Sequence, residues 1–181
     1  MRGLIVCAWM AGIILVLFVL LLLAAPVKVH IERSREIRAP APVVWEHIVK
    51  LEKFGAWSNW WKTDPAAAFR LDGVDGAAGA SSSWKGQKLG KGKLELVFLL
   101  PYSEVRQRLS LYEPLESGYD VWYRLAEKDS ITQVTWAMDA SYPRPQNVLG
   151  LFMKSSIERD FAQGLENLQR IAETDAAGRK R

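Results

Sequence analysis

NVLGLFMKSSIERDFAQGLENLQRIAE, residues 147–173, is the stretch on which the fold turns. Leu149, Phe152, Met153, Ile157, Phe161, Leu165, Leu168 and Ile171 recur at steps of three or four residues, which on a helix makes one apolar stripe. Lys154, Glu158, Arg159, Gln163, Glu166, Asn167 and Arg170 fall mostly on the other face, and Pro143 and Pro145 stand just before the run. A helix of this length draws most of its stability from burying such a stripe, so another element must cover it. The hundred residues before it read as strands, so the expected cover is a sheet.

Working back from the helix, short alternating segments separated by turn residues fill the middle of the chain. Val134, Trp136 and Met138 alternate in the last; Tyr119, Val121, Tyr123 and Leu125 in the one before; Val105, Leu109 and Leu111 before that. Leu94, Leu96, Phe98 and Leu100 read as one face of a further strand. Residues 80–84 form a polar strand and residues 69–71 a short one. Residues 27–37 read as a first strand, with Val29 and Ile31 on one side. Short strands joined by short turns predict an antiparallel meander. Residues 43–50 read as a short helix with Val44, Trp45, Ile48 and Leu51 inward, followed by the aromatic segment Phe54, Trp57, Trp60 and Trp61. The fold class is α+β: a curved antiparallel sheet of about seven strands around a long C-terminal helix, with short helices closing one end.

At the other end of the chain, residues 3–25 carry no charge. As a helix they span roughly 34 Å, against about 30 Å for a hydrocarbon core. A cleaved signal peptide would have a shorter apolar region and a small-x-small site, and Leu23 breaks that pattern. The sequence therefore predicts an N-terminal transmembrane helix over 1–26, a domain over 27–175 and a basic tail over 176–181, giving a single-pass membrane protein. Lys28, Arg33, Arg35 and Arg38 after the span point to a cytoplasmic domain. The same residues also belong to the first strand, so the side stays open.

The 181 residues carry a net charge of +4, too mild to indicate nucleic acid. Lys85, Lys88, Lys91 and Lys93 cluster, either as a solvated hairpin or as a contact for anionic lipid heads. Cys7 is the one cysteine and lies in the apolar segment; the two histidines, His30 and His47, are far apart, each read on the polar side of its element. No metal set, catalytic triad or phosphate loop follows from these residues, so no catalytic residue and no cofactor is assigned.

Several motifs together resemble the SRPBCC superfamily, the helix-grip fold of START and polyketide cyclase/dehydrase-like proteins, in its membrane-anchored bacterial branch. They are Glu32-Arg33-Ser34 with Ile37 and Ala39-Pro40, Trp57-Ser58 with Trp60 and Asp64-Pro65, and Trp84 before Gly90-Lys91-Gly92. Val134 to Met138 and Leu149 to Met153, with Asp160-Phe161 and Gly164-Leu165, complete the set. The resemblance implies a cavity between sheet and long helix. The side chains expected to line it are Arg35, Trp57, Trp60, Trp84, Leu96, Phe98, Leu109, Tyr123, Trp136, Phe152 and Met153. Arg35 and the polar run Ser81 to Ser83 depart from a purely apolar lining. The expected function is a membrane-tethered binding module for a hydrophobic small molecule or lipid. Two alternatives stand beside it: a cyclase- or dehydratase-like enzyme using Arg35 and Tyr123, and a protein-interaction domain of the chaperone-activator type.

Overall fold

The computed structural model describes residues 2–179; the side chains of residues 2, 4–6, 8, 149 and 152 lie outside that description. The elements are α1 (Arg2–Ala24), β1 (Lys28–Ile37), α2 (Ala41–Val49), α3 (Leu51–Trp57), α4 (Asn59–Lys62), β2 (Ala68–Asp72), β3 (Ser81–Gly86), β4 (Gly90–Leu100), β5 (Glu104–Glu113), β6 (Ser117–Lys128), β7 (Ile131–Ser141) and α5 (Asn147–Gly178). All seven strands join one antiparallel sheet in the order β1-β7-β6-β5-β4-β3-β2. The first strand in sequence pairs with the last, and the rest is the expected meander. Helix α5 runs along β1 and over β7, and its buried Phe161, Leu165, Leu168 and Ala172 cover the inner face. This is the helix-grip arrangement.

Alternation fails within β4. The pairing of β4 with β5 shifts between Leu96 and Phe98, so Leu96 faces Gln107 and Phe98 faces Arg106. A bulge adds one residue to its strand and reverses the faces beyond it. Leu94 and Leu96 therefore point inward, whereas Phe98 is 43% exposed and carries the Arg106 guanidinium 5.2 Å from its ring centre. The expectation that Phe98 and Leu100 share the face of Leu96 is corrected accordingly.

Helix α5 also extends to Gly178, and Ala176, placed by the sequence in a tail, is buried. That extra turn lies over α2. It buries His47, which is 4% exposed and lies with Nε2 2.9 Å from the Asp175 carboxylate, although its helix position had suggested the polar face. Burial lowers the His47 pKa, against the pull of Asp175. Across the same junction Arg179 pairs with Glu46, which this guanidinium and then Lys53 hold at a pKa of about 2.

Helix α1 joins the domain at its C-terminal end. There Asn147 donates to the carbonyls of Leu22 and Ala25, and Arg144 to those of Leu22 and Leu23. These side chains satisfy carbonyls that the last turn of a helix leaves open. The single-pass membrane expectation is corrected: among the described residues no helix is long and apolar enough to cross a membrane.

Candidate functional site

A cavity of about 130 Å³ lies between the inner faces of β4 to β7, the α3–α4 segment and the first half of α5. It is framed by aromatic rings because β6 and β7 bring large side chains to directly opposed inward positions. Tyr123 faces Trp136 across the strands, with ring centres 5.3 Å apart. The Trp136 indole is stacked on Phe161 of α5 at 3.9 Å and meets Trp57 edge-on at 5.4 Å. Close contact between helix and sheet at this point depends on Gly164. A Cβ there would come within 2.8 Å of the Trp136 ring. Gly92 has the same role for Trp84: a Cβ would clash with the indole and stand 2.8 Å from the Ser110 carbonyl oxygen.

The aromatic segment over the cavity is held by polar contacts at each end. Asp75, from the loop after β2, accepts from the backbone N–H of Leu51 and Glu52 at the start of α3. Asn167 of α5, buried although the sequence put it on the polar side, donates to the Trp57 carbonyl at its end. Ser58 caps the α4 turn by accepting from the Trp60 N–H. Asp64 accepts from the backbone N–H groups of Lys88 and Leu89, and these bonds hold its pKa below the usual carboxylate value. Trp60 and Trp61 are thereby fixed against Trp84 and Phe69.

Six of the side chains expected from the sequence line this space: Trp60, Trp84, Leu109, Tyr123, Trp136 and Met153. Met153 stands at the mouth, 43% exposed. Trp57 and Leu96 are fully buried behind the wall, where Trp57 donates to the His47 carbonyl. Phe98 is on the outer face, and the Phe152 side chain lies outside the described residues. Arg35 is outside the cavity. It projects from the edge strand β1 toward the polar flank of α5 and donates from Nε to Gln169 Oε1 at 2.5 Å. It lines an open surface groove with Gln163, Glu166, Arg170 and Glu173. The expectation that Arg35 lines the cavity is corrected by that position.

Sequence reasoning missed Gln107, and this omission matters most. Gln107 occupies an inward position between Val105 and Leu109, is 2% exposed, and neither amide atom has a hydrogen-bond partner among the described residues. Tyr123 Oη and Trp136 Nε1 are buried and likewise unpartnered among the described residues. Each unmet buried group costs roughly 1–3 kcal/mol. Burial raises the Tyr123 phenol well above its ordinary value, which keeps it protonated and a donor. Tyr142 is pushed up to about 12 by burial and then by its neighbour Tyr119. Among the described lining residues there is no Lys, Arg or His, and the one carboxylate is that of Asp160. The signal for Gln107 was present, as a polar residue interrupting an apolar alternation.

Comparison with known proteins follows the same outline. The family described as polyketide cyclase / dehydrase and lipid transport matches residues 28–173. Among solved structures, protein MLL2253 from Mesorhizobium loti is 14% identical with a TM-score of 0.61, covering 81% of this chain and 98% of that one. The Aha1 dimer from Colwellia psychrerythraea is 16% identical with a TM-score of 0.58, covering 80% and 96%. DynU16, a protein of the dynemicin biosynthetic locus, is 16% identical with a TM-score of 0.57; 81% of this chain matches 48% of that chain. At these identities the likeness is one of fold. No curated protein matches the sequence.

Proposed function

The chain belongs to the polyketide cyclase / dehydrase and lipid transport family, and from that premise we propose that it binds a hydrophobic small molecule in the cavity between sheet and α5. The observation that carries this reading is the cavity itself, aromatic-walled and roofed by a pinned segment. Its size decides the class of occupant. Sites for drug-sized ligands run to about 300–1,000 Å³, whereas an apolar cavity of about 150 Å³ takes up benzene. At about 130 Å³ the enclosed part suits a single ring or a short aliphatic segment better than an extended acyl chain. Binding is favoured over catalysis because Arg35, the proposed electrophile, is in the surface groove with Gln169.

Thermal unfolding of the full chain with ethylbenzene tests this. At about 100 times its Kd a ligand of the folded state adds about 2.7 kcal/mol, a rise in Tm of roughly 5–10 °C. Val121→Phe, which fills the cavity from β6, should fold and lose that rise. An unchanged Tm for the wild-type chain in saturating ethylbenzene would refute the reading.

A further inference from the structure

The inward faces of three consecutive strands bring together polar groups that have no hydrogen-bond partner among the described residues. Gln107 on β5 pairs in register with Val121 on β6, which puts it diagonal to Tyr123, and Tyr123 is directly opposite Trp136 on β7. Diagonal neighbours of this kind are about 7–8 Å apart, the width of one substituted ring. All three side chains line the cavity, and Gln107 Oε1 and Nε2, Tyr123 Oη and Trp136 Nε1 are all buried without a partner among the described residues.

We propose that the cavity selects a neutral, ring-sized molecule carrying a hydrogen-bond acceptor beside a donor, and that Gln107 is the residue that recognises this pair. This rests on the cavity-binding reading above and deepens it. A side-chain amide offers one acceptor oxygen and an NH2 donor side by side, so a partner satisfies both ends only by presenting the complementary pair. Trp136 Nε1 can only donate, and the protonated Tyr123 phenol donates to a carbonyl in preference to accepting. The site therefore offers more donors than acceptors, which matches a carbonyl flanked by N–H or O–H. Charge is selected against. An anion placed here would lose its hydration with no cationic side chain among the described lining residues to replace it, and Asp160 at the lining repels it.

Three nearly isosteric probes separate these terms: benzamide, a neutral donor–acceptor; benzoate, an anion; and ethylbenzene, apolar. Each is titrated into the full chain and followed by the indole N–H resonances in 15N spectra. The variants are Gln107→Leu, which removes the pair while keeping the volume, and Tyr123→Phe, which removes one hydroxyl and leaves the ring packing. Gln107→Leu should weaken benzamide by about tenfold, the equivalent of one to two hydrogen bonds, and leave ethylbenzene within about twofold. Tyr123→Phe should weaken benzamide by about threefold to tenfold and spare ethylbenzene. Benzoate should bind wild-type protein at least about tenfold more weakly than benzamide.

Equal weakening of benzamide and ethylbenzene by Gln107→Leu would overturn the proposal, because the residue would then act through packing alone. Unchanged benzamide affinity would overturn it too, since water rather than ligand would be meeting the amide. Benzoate binding tightest would do the same for the charge argument. In all three cases ethylbenzene still binds and the cavity reading survives. Failure of both ethylbenzene and benzamide to bind removes the cavity reading and this proposal together.

Discussion

Replacing Gly164 by alanine sets two effects of known sign against each other. In a mid-helix position alanine is favoured over glycine by about 0.8–1.0 kcal/mol. The new methyl, however, would stand 2.8 Å from Trp136 Cζ3, closer than real carbon atoms approach. The ring cannot simply move aside, because it is stacked on Phe161 at 3.9 Å and wedged by Trp57 and Tyr123 at 5.4 and 5.3 Å. Overpacking of that kind costs about 1–3 kcal/mol. The clash should win, leaving Gly164→Ala less stable by about 1 kcal/mol, a fall in Tm of about 2–4 °C at this chain length. In a Trp136→Phe background the smaller ring gives way, so the same change should be neutral or stabilising by up to about 1 kcal/mol. Urea unfolding of the four proteins reads this as a coupling of about 1–2 kcal/mol. Stabilisation of the wild-type chain by Gly164→Ala, with no coupling to Trp136, would refute the claim that α5 is clamped onto this indole.

Leu96→Ala should cost about 2–5 kcal/mol and Phe98→Ala well under 1 kcal/mol in the same urea assay, because the bulge in β4 sends the two rows to opposite faces. Gln107→Leu should raise Tm by a few degrees, since it removes two unmet buried polar atoms; a fall would mean that the amide is satisfied in the folded protein. His47 has a folded pKa below its unfolded value of about 6.5, so the unfolded chain takes up its proton first. Its stability contribution is complete above about pH 6.5 and is lost as pH falls through the lower folded pKa. Asp175→Asn should steepen that acid loss by removing the carboxylate that opposes burial, and His47→Gln should flatten it; Tm measured from pH 7.5 to 5 checks both.

Much of this architecture can be read from periodicity, because burial imposes it. The α5 stripe and the inward rows of β6 and β7 place Tyr123 and Trp136 correctly, since a two-residue alternation in an unbroken strand admits only one core face. The β4 row misleads after Leu96 because the bulge at that point has no glycine to mark it. Arg35 has inward parity, but β1 is an edge strand beside the polar flank of α5, so its side chain reaches Gln169 instead of the cavity. His47 and Asn167 look like surface residues on their own helices and become buried only when those helices meet other parts of the fold. Gln107 was hidden for the opposite reason: among Val105, Leu109 and Leu111 it reads as noise, and only the lack of a partner among the described residues draws attention to it.

Intermolecular NOEs from ethylbenzene bound to the full chain test the central claim most directly, because they report where the ring lies as well as that it binds. The account predicts contacts from the ring protons to the Trp136 indole, the Val121 methyls and the Met153 methyl, all of which line the cavity. Contacts confined to Phe98 and Val97 on the outer sheet face, or to the exposed side chains of α1 such as Trp9 and Leu15, would show surface adsorption and contradict a binding site between the sheet and α5.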